Sequence, residues 1–473
     1  MAVTKSSSLL IVGAGTWGTS TALHLARRGY TNVTVLDPYP VPSAISAGND
    51  VNKIISSGQY SNNKDEIEIN ETLAEESFNG WKNDPLFKPY YHDTGLLMSA
   101  CSQEGLERLG VRVRPGEDPN LVELTRPEQF RKLAPEGVLQ GDFPGWKGYF
   151  ARSGAGWAHA RNALVAAARE AQRLGVKFVT GTPQGRVVTL IFENNDVKGA
   201  VTADGKIWRA ERTFLCAGAS AGQFLDFKNQ LRPTAWTLVH IALKPEERAL
   251  YKNIPVIFNI ERGFFFEPDE ERGEIKICDE HPGYTNMVQA ADGTVMSIPF
   301  EKTQIPKEAE ARVRALLKET MPQLADRPFS FARVCWCADT ANREFLIDRH
   351  PQYHSLVLGC GASGRGFKYL PSIGNLIVDA MEGKVPQKVH DLIKWNPDIA
   401  ANRNWKDTLG RFGGPNRVMD FHDVKEWTNE YPRKNVATDR DEKADPPADM
   451  FEFPSRVTLA LVLGSVVPHR LAI

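Results

Sequence analysis

The stretch Ser8-Leu9-Leu10-Ile11-Val12-Gly13-Ala14-Gly15-Thr16-Trp17-Gly18 decides the fold. Its first five residues have the length and apolar character of a short buried strand. Glycines at G-x-G-x-x-G spacing follow at once. Residues 16–28 then place Trp17, Ala22, Leu25 and Ala26 at helical spacing, and Gly29 stands where a helix needs its C-terminal cap. Val33–Asp37 (VTVLD) reads as the next strand. A strand–helix–strand unit of this kind, about thirty residues long, implies parallel neighbours joined by a right-handed crossover. Gly13 permits the tight turn, Gly15 lets the backbone approach a pyrophosphate, and Gly18 allows close packing of helix on strand. The helix N-terminus turns N–H donors and positive potential toward phosphates. Asp37, nineteen residues after Gly18, can accept from ribose hydroxyls and disfavours a 2′-phosphate. The unit predicts a dinucleotide site. It does not separate FAD from NAD, because both present the same adenosine diphosphate.

Composition sets the limits around this unit. The chain has 473 residues, with 57 Lys+Arg against 58 Asp+Glu, 42% apolar and 24% charged. That is a globular chain too long for one simple core. The balanced charge argues against a nucleic-acid binder, which shows a basic excess or stripe. Six cysteines, at 101, 216, 278, 335, 337 and 360, form no CxxC pair, which points to a reducing compartment and away from a zinc site. No apolar run approaches the roughly 18 residues that span a bilayer. Residues 457–467 come nearest and read as a sticky end on a charged extension, not as an anchor.

Further along, residues 157–174 read as an amphipathic helix and 176–180 as a strand. Residues 186–192, 197–202 and 206–209 read as a small antiparallel meander, with Asp204-Gly205 as a tight turn. Residues 213–217 and 355–358 return as buried strands, with helices at 307–317 and 373–381. The expected fold class is α/β: a Rossmann-type dinucleotide-binding domain, made FAD-binding and glutathione-reductase-like by the resemblance given next, with a second α+β substrate domain on a mixed or antiparallel sheet. The dinucleotide-binding domain is expected to be discontinuous, from 1–60, 151–225 and 335–400. Residues 61–150 and 226–334 form the substrate domain, 401–428 close the active site, and 429–473 form a flexible tail.

The choice between FAD and NAD comes from a resemblance. Phe214-Leu215-Cys216-Ala217-Gly218-Ala219 resembles the second glycine-containing segment of glutathione-reductase-type flavoproteins. Cys335-Trp336-Cys337-Ala338-Asp339-Thr340, Phe345-Leu346-Ile347-Asp348 and Gly361-Ala362-Ser363-Gly364-Arg365-Gly366-Phe367-Lys368 resemble the C-terminal signature of monomeric sarcosine oxidases and their relatives. Within that group the chain is most similar to fungal fructosyl amino acid oxidases, the amadoriases. The phrases that carry this are Trp81-Lys82-Asn83-Asp84-Pro85-Leu86-Phe87-Lys88-Pro89, Gly263-Phe264-Phe265-Phe266-Glu267-Pro268 and Cys278-Asp279-Glu280. The similarity covers about residues 1–428.

The resemblance implies a set of site residues. Cys335 matches the cysteine whose sulfur tethers the flavin through its 8α-methyl, with Cys337 as the rival. Lys276, alternating with Ile275 and Ile277, matches the lysine that promotes reaction with oxygen; a fixed cation stabilises the charge that develops as oxygen is reduced. Lys368 matches a substrate-carboxylate site, and Lys53 a basic position on the flavin's other side. Glu280 is placed to hold the substrate ammonium or sugar hydroxyls. Arg411 can take an amino-acid carboxylate bidentately, and Trp236 and Phe266 are candidates to wall the sugar. Cofactor contacts are expected from Gly13, Gly15, Thr16, Trp17, Gly18, Asp37, Ser46, Lys53, Val187, Ala217, Gly218, Gly364, Gly366, Phe367 and Lys368. No metal is expected.

The implied activity is FAD-dependent oxidation of Amadori products with oxygen as acceptor, giving glucosone, free amino acid and hydrogen peroxide. The nearest alternative is a sarcosine- or pipecolate-type secondary amine oxidase; a more distant one is a nicotinamide-dependent dehydrogenase. A third is a catalytically dead nucleotide-binding protein, which Cys335, Lys276 and Lys368 together argue against. A monomer free of membrane and nucleic acid is expected, cytoplasmic or peroxisomal. Relatives commonly end in a peroxisomal Ser-Lys-Leu-like signal, whereas this chain ends His469-Arg470-Leu471-Ala472-Ile473.

Overall fold

The strand Leu9–Val12, the helix Thr16–Arg27 and the strand Val33–Asp37 form the expected unit, and Gly29 takes φ +81° just past the helix end. The computed structural model describes residues 3–57, 64–113, 120–289, 293–401, 403–405, 413, 414 and 416–431. Arg411 and residues 432–473, most of the expected tail, lie outside the described residues.

Among the described residues, six strands make the nucleotide-binding sheet in the order Leu346–Arg349, Leu356–Cys360, Arg212–Leu215, Leu9–Val12, Val33–Asp37, Lys177–Thr180. All neighbours are parallel except the antiparallel edge strand Leu346–Arg349. Alternation along each strand sorts its side chains to two covers. Leu9, Ile11, Val33 and Val35 pack toward the helices Thr16–Arg27, Ala160–Arg173 and Ile373–Glu382. Leu10, Val12, Leu36 and Leu215 turn to the other face, against the meander Val187–Glu193, Asp196–Thr202 and Ile207–Arg209.

The second region is organised by the long strand Leu231–Ala242, antiparallel to both Glu274–Asp279 and Phe331–Thr340. Directly opposed residues share a face. Val239, Ile241, Ile275, Ile277 and Ala332 form one core with the helix Lys307–Thr320, through its Ala309, Val313, Leu316 and Leu317. The other face carries Lys276, Cys278, Arg333 and Cys335. Leu96–Ala100 pairs in parallel with Val256–Asn259, which joins the two expected substrate-domain segments into one sheet. No helix among the described residues is long and apolar enough to cross a membrane.

Two expectations are corrected. The helix begins at Ala160, not at 157, because Ala155–Ala158 is a strand that pairs with Lys53–Ser56 and Tyr91–His92 and buries Trp157. Phe331–Thr340 runs unbroken across the expected boundary between 334 and 335, so Cys335 belongs to the second sheet.

Candidate active site

A cavity of about 660 Å³ opens at the carboxyl ends of the parallel strands, within the range of cofactor sites, ~300–1,000 Å³. Gly13, Gly15, Thr16, Trp17, Asp37, Ser46, Lys53, Val187, Ala217, Gly218, Cys335, Gly364, Gly366 and Phe367 line it. Gly18 and Lys368 do not. Gly18 acts behind the lining: a Cβ there would lie 1.8 Å from the Gly13 carbonyl oxygen, so helix and turn meet only because it is absent. Gly13 holds φ +103°, and a Cβ would strike the Cys216 carbonyl at 2.6 Å. The Trp17 indole donates to the Gly366 carbonyl at 3.1 Å, tying the N-terminal turn to the C-terminal glycine loop.

The residues present fit FAD. Gly15 caps the helix without a side-chain bond and no acid stands in its first turn, so its N–H donors face the cavity uncompensated. The Asp37 carboxylate accepts from the backbone N–H of Ala14 at 2.7 Å and of Tyr39 at 2.9 Å, and burial pushes its pKa up to about 6. Asn52 is fully buried, and neither polar atom of its side-chain amide has a partner among the described residues. An unpaired buried amide is costly, and this one lies next in the chain to the cavity-lining Lys53.

Alternation on the central strands puts the proposed chemistry on one face. Trp236 stands opposite Cys335, Leu238 opposite both Arg333 and Cys278, and His240 opposite Lys276. Lys276 is 1% exposed, which makes its charge expensive unless it is paired. Its Nζ donates to Asp50 Oδ2 at 2.6 Å and to the Asn52 carbonyl at 2.9 Å. Lys53, at the cavity wall, contacts the same Asp50 oxygen at 2.8 Å. Burial alone would raise the Asp50 pKa; Lys276, Lys53 and Arg333 outweigh it and hold this carboxyl well below the usual range. Burial likewise opposes the Lys53 ammonium, but Asp50 keeps it protonated well above the ordinary lysine range. The Arg333 guanidinium lies 3.9 Å from Cys335 Sγ.

The remaining expected residues fall around this face. Phe266 is fully buried in a core cluster, with the Lys276 ammonium 5.2 Å from its ring, so it backs the lysine. Trp236, 8% exposed, donates its indole N–H to the His281 carbonyl at 2.5 Å. Glu280 follows the strand Glu274–Asp279 and is 7% exposed. Gly413, two residues past Arg411, donates to the Ile260 carbonyl at 3.0 Å, and a Cβ on it would meet the Glu280 carbonyl at 3.3 Å. Lys368 ends the glycine loop, and burial, then the Arg365 charge, push its pKa down to about 7. Its backbone carbonyl accepts from Ser77 Oγ at 2.6 Å and from the Trp81 indole at 2.7 Å. Asp50, Asn52, Arg333 and Ser77 were not singled out from the sequence, and Trp81 entered only as part of a phrase, with no role in the site. An acid three residues before a lysine signals nothing until the fold brings the second lysine to it.

The chain matches the family described as FAD dependent oxidoreductase over residues 8–380, and it belongs to that family. Among solved structures it is similar to the deglycating enzyme fructosamine oxidase of Aspergillus fumigatus (Amadoriase II), with 97% identity and a TM-score of 0.90 over 91% of this chain and 98% of that one. It is also similar to the fructosyl amine:oxygen oxidoreductase (Amadoriase I) of the same fungus, at 52% identity and a TM-score of 0.88 over 90% of this chain and 98% of that one. Among curated proteins, L-saccharopine oxidase of Schizosaccharomyces pombe is 30% identical over 85% of this chain and 96% of its own length.

Proposed function

We infer that this chain is an FAD-dependent oxidase that deglycates fructosyl amino acids, releasing glucosone, the free amino acid and hydrogen peroxide. The observation that carries the reading is the 97% identity to a fructosamine oxidase across 91% of the chain. When bound, FAD would supply the electron chemistry, that is, two-electron oxidation at the C1 methylene beside the substrate's secondary amine and transfer of those electrons to oxygen. The protein's part is to hold the reactants and place charge.

Gly13, Gly15 and the helix that follows receive the pyrophosphate, and Asp37 receives the adenosine ribose. Lys276 supplies a fixed, water-excluded cation where charge develops as oxygen is reduced. Lys53 adds a second cation at the cavity wall. Lys368 and Arg411 take the substrate carboxylate, Glu280 its amine or sugar hydroxyls, and Trp236 one side of the sugar. The substrate nitrogen must be neutral to stabilise the forming iminium, and water then cleaves the resulting imine. Cys335 is the attachment point for a cysteinyl link to the flavin 8α carbon, a reading supported by its place in the cavity lining and by the Arg333 guanidinium 3.9 Å from its sulfur.

A peroxide assay comparing fructosyl-valine, fructosyl-lysine and sarcosine tests the reading. Turnover of either fructosyl substrate well above sarcosine is the expected result. Sarcosine turned over alone would overturn it in favour of a simple secondary amine oxidase.

A further inference from the structure

Asp50 has no part in the oxidation as read so far, yet both site lysines converge on it. Lys276 Nζ stands 2.6 Å and Lys53 Nζ 2.8 Å from the same carboxylate oxygen, Oδ2. The acid is 1% exposed. Its own position is fixed by the backbone: Arg161 N–H donates to the Asp50 carbonyl at 2.9 Å, and Ala160 N–H to the Val51 carbonyl at 3.3 Å, where the helix Ala160–Arg173 begins. The groups that face it are the cations Lys53, Lys276 and Arg333, with the thiols of Cys335 and Cys278 beside the lysines. Two ammonium groups this close to each other repel unless an anion lies between them. A lysine side chain is otherwise long and freely rotating, and a cation acts on developing charge only when it is held in place beforehand.

We propose that Asp50 is a positioning residue for oxygen reduction, its carboxylate fixing the Lys276 ammonium and dividing its grip between Lys276 and the cavity-lining Lys53. The proposal rests on the reading of Lys276 given above. Asp50 touches neither substrate nor oxygen; it works through the lysines.

Stopped-flow kinetics of the holoenzyme separate anaerobic reduction by fructosyl-valine from reoxidation by oxygen. Asp50→Asn is expected to slow reoxidation at least about tenfold more than reduction. If Asp50 acts through Lys276, the loss disappears when Lys276 is gone: Lys276→Met and the double variant D50N/K276M should reoxidise within about twofold of each other. Should D50N alone not fold, K53M against D50N/K53M asks the same question with one fewer buried cation, and the second is expected to be the slower by a similar factor. A readout independent of turnover comes from [15N]lysine NMR of the holoenzyme. Two ammonium signals protected from solvent exchange are expected in the parent, and at least one should broaden by faster exchange in D50N.

Reoxidation of D50N at the parent rate, equal losses in both half-reactions, unchanged ammonium signals, or a full D50N loss persisting in the K276M background would each overturn the proposal. If K276M itself reoxidises at the parent rate, the oxygen role of Lys276 fails and the proposal falls with it. That outcome is distinct from K276M slow and D50N normal, which overturns the Asp50 role alone.

Discussion

Trp81 donates its indole N–H to the backbone carbonyl of Lys368 at 2.7 Å, 287 residues away in the chain. Ser77 Oγ reaches the same oxygen at 2.6 Å from one turn earlier on the helix Lys64–Asn83. Two side chains of one helix therefore fix the point from which the Lys368 side chain departs. Trp81→Phe keeps most of the buried ring and deletes one of the two donors. It is expected to cost about 1–3 kcal/mol of stability and to weaken binding of a carboxylate-bearing substrate severalfold with little change in kcat. Chemical unfolding and steady-state kinetics check it; an unaltered KM would show that Lys368 does not depend on this anchor.

Lys368 gives the site a pH signature. Burial, then the Arg365 charge, lower its pKa to about 7, so above that pH the cofactor-free site holds mainly the neutral amine. A substrate carboxylate needs the ammonium, so binding above pH 7 takes up a proton. Affinity should fall by up to about tenfold per pH unit above 7 and level off below it. A thioether analogue that keeps the carboxylate but lacks the titrating amine isolates the effect in a binding titration. Lys368→Met should bind weakly with no such slope.

Cys335 and Cys337 both line the cavity, but it is Cys335 that has the Arg333 guanidinium at 3.9 Å. Acid-precipitated parent protein should stay yellow. Cys335→Ala should release the colour into the supernatant, and Cys337→Ala should retain it. The reverse pattern would move the attachment to Cys337.

Gly18→Ala should yield a chain without flavin absorbance. The added carbon would stand 1.8 Å from the Gly13 oxygen and 2.9 Å from its carbonyl carbon. Both are backbone atoms of the pyrophosphate turn, so neither can swing aside. A variant purified with full flavin content would show that the helix can shift to make room.

What could be read from the sequence follows the range of the interactions involved. The strand, glycine turn, helix and second strand of residues 8–37 are set by neighbours in the chain, and each formed as read. The alternation Ile275-Lys276-Ile277 indicated a strand with one face buried; the strand forms, and Lys276 on its other face is buried as well. Residues 155–158 did not read as a strand because their apolar spacing also suits a helix, and the pairing partner Lys53–Ser56 lies about a hundred residues earlier. The domain boundary at 334/335 failed for a related reason: strand pairing continues through Thr340 while the sequence motif begins at Cys335. Asp50 and Trp81 act on residues 226 and 287 positions away, and no local spacing announces such contacts.

The order of strands in the nucleotide-binding sheet has a consequence for biosynthesis. Leu9–Val12 is flanked by Arg212–Leu215, and that strand in turn by Leu356–Cys360, while Gly366 and Phe367 close the cavity wall. The ribosome must deliver more than three-quarters of the 473 residues before the first glycine turn meets its last wall. Cofactor loading is therefore a late event in the life of the nascent chain. Leu9–Val12 has one open edge until Arg212–Leu215 is made, and that strand has one until Leu356–Cys360 follows, so supply of the cofactor and protection from aggregation become one problem during synthesis.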